Sequence, residues 1–267
     1  MKPQSLQTRL MIAAATGNYQ EVKSILATDN APVNETDSDG RTALCYAARG
    51  NHNEVMKLLL AADAIDVDLK DKRGWTALTF AVAHGNDTMV EVLLQRGHPD
   101  INAKAKDDGR TLLSYAAGQG YDAVVRRLLA TANVDINAAD SENWTPLTFA
   151  AGHGHTTVVR DLLAADDIDP DPKDTIYGCT PLCIACEQGY TEIARDLLAT
   201  GRVDPNVQTF DKGRRPLHLA AIGGWEDIVK MLLATGKVDV NAKDNNGCTA
   251  RDYAIENNYK ALFKYLD

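Results

Sequence analysis

Residues 140–170 read DSENWTPLTFAAGHGHTTVVRDLLAADDIDP, and this stretch decides the fold. Thr145 followed by Pro146 marks a helix start. A threonine hydroxyl accepts from a free backbone N–H of the first turn, and proline at the first helical position lacks an N–H that would have no partner there anyway. Leu147, Phe149, Ala150 and Ala151 then give a short apolar helix. Gly154 ends it, being suited to the left-handed backbone just past a helix. Val158, Val159, Leu162 and Leu163 fall on one stripe of a second helix, and an acidic segment containing Pro170 leads to the next turn.

Outward from this stretch the same grammar recurs every 34 or 35 residues. The capping position holds Thr8, Thr42, Thr76, Thr111, Thr145, Thr180 and Thr249, with Arg215 in the seventh copy. The terminator of the first helix is Gly17, Asn51, Gly85, Gly120, Gly154, Gly189, Gly224 and Asn258 in turn. Two residues before the cap stand Gly40, Gly74, Gly109, Asn143, Gly178, Gly213 and Gly247. Asparagine replaces glycine at both kinds of position because it best tolerates positive φ among residues with a side chain. A fixed period of this size predicts an all-α solenoid of helix-turn-helix units, each burying its apolar face on its neighbours. The expected organisation is a single domain over 1–267, with units at 1–36, 37–70, 71–105, 106–139, 140–174, 175–209, 210–243 and 244–267.

Composition narrows the function. Hydrophobic residues make up 45 % but aromatics only 6 %, and the pairs Ala47-Ala48, Ala116-Ala117 and Ala150-Ala151 suit helices that approach closely. A net charge of −9 argues against nucleic acid, which needs a basic footprint. No apolar run reaches the ~20 residues of a membrane span, and MKPQSLQTRL lacks the apolar core of a signal peptide. Five cysteines without a recurring pair predict reduced thiols and an intracellular protein. Polar residues such as Lys2, Gln4, Gln7 and Arg9 at one end, and Arg251, Glu256 and Lys260 at the other, predict capped ends of a complete array.

The unit resembles the ankyrin repeat, with its Asp-x-x-Gly-x-Thr-Pro-Leu-His turn and helix start and its Val-x-Leu-Leu second helix, over about residues 5–266. The longer linkers, such as GKVDVNAKDNNG and GRVDPNVQTFDKG, look like those of fungal arrays. The resemblance implies antiparallel helix pairs with a projecting β-turn per unit, stacked into a curved array that binds protein partners on its concave side. The family histidine, which ties turn to helix, survives only at His218; Cys45, Thr79, Ser114, Thr148, Cys183 and Asp252 stand elsewhere. Local rigidity is therefore expected from the threonine caps and packing.

Chemical motifs have plainer readings. Cys179, Cys183 and Cys186 lack a fourth ligand for zinc and occupy turn and helix positions of the repeat. Asp167, Asp169 and Asp171 begin like a calcium loop, but Pro172 stands where that loop requires glycine. His153-x-His155 suggests a metal pair, yet His155 aligns with His52, Tyr121, Tyr190 and Trp225 at the start of the second helix, favouring capping or packing. Nucleophile elbows, phosphate loops and dinucleotide fingerprints are missing. The expectation is a non-enzymatic chain without metal or cofactor.

Function should lie where units differ without structural cause. The residue before each cap is Arg41, Trp75, Arg110, Trp144, Cys179, Arg214 and Cys248, expected to project from the turn tip. Arg73 and Tyr177 sit beside this row, and His84 and His153 extend it at the end of the first helix. Trp, Tyr and Arg dominate binding hot spots. The expected site is thus Arg41, Arg73, Trp75, His84, Arg110, Trp144, His153, Tyr177 and Arg214, centred on units two to five. Its expected partner is a protein or peptide with acidic and apolar side chains, bound by a monomer. Three alternatives stand beside it. The arginines and tryptophans could stack on one another for stability alone. The array could be a spacer or self-associate. The resemblance also implies possible hydroxylation of the linker asparagines Asn34, Asn102, Asn137, Asn206 and Asn241.

Overall fold

The computed structural model describes residues 5–97 and 99–267. Among these the chain is all-helical, built from consecutive short pairs. The pairs are α1 (Leu6–Ala15) with α2 (Tyr19–Leu26), α3 (Ala43–Arg49) with α4 (Asn53–Leu60), α5 (Ala77–Ala83) with α6 (Asp87–Arg96), and α7 (Leu112–Gln119) with α8 (Asp122–Leu129). They continue with α9 (Pro146–Gly152) and α10 (Thr156–Leu163), α11 (Pro181–Gln188) and α12 (Thr191–Ala199), and α13 (Pro216–Gly223) and α14 (Glu226–Ala234). In the last pair α15 (Ala250–Glu256) is followed by a 3₁₀ turn at Lys260–Leu262 and α16 (Phe263–Leu266).

Packing divides the chain into two compact units, Met1–Ala116 with Arg126–Val134, and Ala117–Val125 with Asp135–Asp267. In the first, α1, α3 and α5 pack side by side, with α2 against α4. In the second, α9, α11, α13 and α15 form a layer of their own, and α10, α12 and α14 pack in sequence as another. Leu44, Met56, Leu59 and Met89 are fully buried in the first unit, and Leu147, Phe149 and Leu162 in the second. Burying such a side chain contributes about 1.5–3 kcal/mol. The paired alanines are buried completely, which lets first helices lie close without leaving voids.

The caps form as the sequence predicts, with two corrections. Thr42, Thr76, Thr111, Thr145, Thr180 and Thr249 each accept from the backbone N–H three residues on, at 3.2–3.4 Å. Thr8 does not cap: α1 starts earlier, on Ser5, whose Oγ accepts from Thr8 N at 3.2 Å. Arg215 has the same extended backbone as the threonines but its guanidinium has no acceptor to offer the helix, and its buried Nε has no partner.

Every terminator has positive φ, from 57° at Asn51 to 77° at Gly154 and Gly189. A second reason for glycine appears only in three dimensions. The residue opening the second helix of the next repeat lays its ring over the preceding terminator: His52 over Gly17, His155 over Gly120, Tyr190 over Gly154, Trp225 over Gly189 and Tyr259 over Gly224. Several rings also donate backward, His52 Nε2 to Ala15 O at 3.0 Å, His155 Nε2 to Gly118 O at 3.1 Å and Trp225 Nε1 to Glu187 O at 3.3 Å. Asn51 has a side chain in that space, and the next repeat answers with Asn86, whose Nδ2 donates to Asn51 and Asn53 instead of a ring.

The linkers carry a second ladder. Asn34, Asn102, Asn137 and Asn206 donate from Nδ2 to the backbone carbonyls of Ala64, Asn133, Asp167 and Lys237 at 2.6–2.8 Å. The carbonyl oxygens of Asn34 and Asn137 also accept, from Asp66 N and Asp169 N. These asparagines are framework ties from one repeat to the next.

Candidate protein-binding surface

Six of the turns are built on an oxygen-bearing side chain at their first position; in the fourth repeat Ala105 stands there, and Asp108 Oδ1 accepts from Arg110 N at 3.0 Å instead. Asp71 Oδ1 accepts from Arg73 N and Trp75 N at 2.9 and 2.8 Å, and Asp71 N donates to Trp75 O at 2.8 Å. Asp37, Asp140, Asp174 and Asp244 do the same work, with Thr209 as a shorter substitute. Neighbouring tips are joined through the backbone, as in Lys72 N to Asp39 O, Lys106 N to Arg73 O, and Phe210 N to Tyr177 O at 2.7 Å. Burial pushes the Asp37 and Asp244 carboxyls up. Hydrogen bonds from Tyr46 and from Tyr253 respectively, together with the turn N–H groups, outweigh it and leave both below the usual carboxylate range.

This turn corrects the expected exposure of the residue before the cap. Its N–H is tied to the turn carboxylate, so its side chain folds back over the first helix. Trp75 is buried, only 8 % exposed, against Phe80 and Tyr115 with ring centroids 5.0 and 5.2 Å away. Trp144 is half-buried, 5.2 Å from Phe149. Arg41, Arg110 and Arg214 are also half-buried and engaged. Arg41 Nε lies 3.5 Å from Asp71, Arg110 Nε 3.6 Å from Asp108, and Arg214 donates to Tyr253 Oη at 3.1 Å.

The true tips are two to four residues earlier. In the first unit Arg73 is exposed, ion-paired with Asp107 and lying 4.3 Å over the Trp75 ring. The stacking alternative thus holds for this arginine and tryptophan. In the second unit Ile176, Tyr177 and Phe210 are 49, 57 and 60 % exposed on adjacent tips, with Lys212 exposed and Arg214 nearby. Tyr177, Lys212 and Arg214 line a hollow of about 210 Å³ together with Leu219 and the acidic Glu187 and Asp211. Ile176 and Phe210 were missed by counting back from the cap. Their signal is an apolar residue in turns that hold one extra residue between the anchoring side chain and the glycine.

His84 and His153 are exposed at the ends of α5 and α9, each Nδ1 2.8 Å from the carbonyl four residues back. His153 and His155 stack at 6.1 Å, but each has a ring nitrogen bonded to a backbone carbonyl. The cysteines are free thiols; burial pushes Cys179 up to about 12 and Cys183 up to about 11, and raises Cys45 and Cys186 as well. Among the described residues no three His, Cys, Asp or Glu side chains gather to hold a metal ion, and no helix is long and apolar enough to cross a membrane.

The repeated turn and paired helices agree with comparison to known families. The family model for ankyrin repeats, three copies long, matches residues 10–105, 97–174, 113–209 and 182–266. No curated protein shows significant similarity to the chain. Members of this family are typically non-enzymatic modules for protein–protein interaction. With matches running from residue 10 to residue 266, the chain belongs to the ankyrin-repeat family.

Proposed function

We propose that this chain is a non-enzymatic adaptor that binds a protein or peptide through its exposed turn tips. The observation that carries this reading is the apolar cluster of Ile176, Tyr177 and Phe210 on adjacent tips, in a protein that buries most of its apolar side chains. Lys212 at the rim of this cluster favours a partner segment with an apolar residue beside a carboxylate, while Glu187 and Asp211 in the same hollow disfavour a strongly acidic one. Arg73, His84 and His153 are exposed contacts on the same account, while Trp75, Trp144, Arg41 and Arg110 support the tips from beneath. The focus thus moves from units two to five toward units six and seven.

The test is selection of a displayed random-peptide library on the immobilised full chain. Peptides mixing aromatic or aliphatic residues with Asp and Glu should be enriched, and the protein should remain monomeric. Failure to enrich any peptide, or enrichment of basic ones, contradicts the reading. The same exposed tips favour self-association as the second reading. Sedimentation that shifts with concentration, and stops shifting in Phe210→Ser, would select it.

A further inference from the structure

Arg215 stands at a framework position that the fold does not use. Six other repeats place threonine there to hold the first turn of the helix, which an arginine side chain, having no acceptor, cannot do. Nor is its guanidinium engaged elsewhere. The other arginines of the second unit all have partners: Arg160 with Asp196, Arg195 with Glu192, Arg202 with the Ile168 carbonyl, Arg214 with Tyr253 and Arg251 with Asp267. Among the described residues the Arg215 guanidinium has none. Its Nε is buried and its two terminal nitrogens reach the surface, and no nitrogen of the three meets an acceptor. A covered stem with a free, forked end is a guanidinium held in place for an acceptor that the chain does not supply.

Arg215 lines an open hollow of about 530 Å³ together with Lys173, Asp204, Gln208, Phe210 and Asn245. Lys173 is exposed, and its ammonium likewise has no ion-pair partner among the described residues. Asp204 is the one acid of the lining, and its Oδ1 already accepts from Asn206 N at 2.9 Å. Two unpaired cations thus stand against one acid, in a chain whose net charge is −9. The side-chain amides of Gln208 and Asn245 add neutral donors at the same wall. This donor set calls for an oxyanion. A carboxylate has two oxygens, which the fork of Arg215 alone would occupy. A phosphate monoester has three, with a charge of about −1.5 to −2 near neutral pH, and can meet Arg215 and Lys173 together.

We propose that this hollow binds a phosphate monoester, with the Arg215 fork on two of its oxygens and Lys173 on the third. Phe210 belongs both to the hollow and to the exposed tip cluster, so a phosphorylated residue beside an apolar one would engage the two together. That the phosphate arrives on a partner segment rests on the reading proposed above. The hollow's affinity for the group itself does not: peptide selection can fail while the isolated group still binds, and the reverse.

The experiment titrates phosphoserine blocked at both backbone ends into the uniformly ¹⁵N-labelled full chain at about 0.15 M salt. It follows the backbone amide signals of Gly213, Arg214 and Arg215 and the Arg215 Nε–H. These signals should move saturably with blocked phosphoserine, bind blocked aspartate about tenfold more weakly, and ignore blocked serine. Inorganic phosphate separates the two sources of the group. Affinity equal to that of phosphoserine supports a site for the phosphate alone, and weaker affinity supports one that also reads its carrier. Arg215→Thr, which the backbone accepts, should abolish the response, and Lys173→Gln should weaken it about threefold. Absence of any response, equal affinity for aspartate, or a response that persists in folded Arg215→Thr overturns the inference. If that variant does not fold, Lys173→Gln decides, because its exposed ammonium has no structural partner to lose. Affinity unchanged in that variant overturns the inference as well.

Discussion

Arg215 shows how one residue's chemistry decides a local energy. It sits with φ −102° and ψ 164° where six other repeats place threonine, so the backbone needs no change to receive one. Arg215→Thr supplies the missing acceptor to His218 N and removes a buried Nε without a partner. We expect a gain of about 1 kcal/mol, or roughly 2–4 °C in Tm, by calorimetry. Trp75 teaches the opposite lesson. Its position in the repeat was legible, but its burial was not, because burial follows from the Asp71 bond to Trp75 N that turns the side chain inward. Trp75→Ala should therefore cost about 3 kcal/mol of stability in urea unfolding. A variant as stable as wild type would show that the indole is not part of the core.

At the scale of helices and turns, the sequence was most informative where one residue serves one local purpose. Threonine caps, terminators with positive φ and the second-helix stripe were all readable, because each depends on neighbours within four residues. Contacts spanning a whole repeat were not: nothing local says that Trp225 covers Gly189, or that Asn86 answers Asn51. Gly189→Ala combines both kinds of constraint. Alanine is strained at φ +77°, and its methyl would collide with the Trp225 ring. The expected loss is about 2 kcal/mol, from a left-handed penalty of roughly 1 kcal/mol and displacement of the ring. Trp225→Ala in the same background should recover part of it, which a double-mutant cycle in urea would measure.

For the whole molecule, stability should depend on pH through a few buried groups. Burial lowers His218 from its ordinary value of 6.5, although the Ala242 carbonyl and Asp244 oppose the shift. Its Nδ1 must stay unprotonated to accept from Arg215 N. A folded-state value below the unfolded one means that this contribution is complete above about pH 6.5 and is lost as pH falls through the lower folded value. Asp37 and Asp244 have folded values below 3.8, so their contribution is lost further into acid. Tm should thus decline in two stages on acidification, and His218→Thr should remove the first. A wild-type Tm unchanged between pH 7 and pH 5 would contradict this.

The solenoid was legible from the period and the family from the resemblance of its turn and helix motifs, whereas the binding surface was legible only in part. Tyr177 and Arg73 were found from sequence, but Ile176 and Phe210 emerged only when the extra turn residue fixed which side chains reach solvent. The central claim is that these tips bind a partner. It is tested most directly by titrating a library-selected peptide into wild type and into Tyr177→Ser/Phe210→Ser, each checked for unchanged helical content and Tm. We predict that affinity falls at least thirtyfold in the variant, about 2 kcal/mol for loss of an aromatic anchor. Equal affinity in a folded variant would contradict the account and move the binding surface elsewhere on the chain.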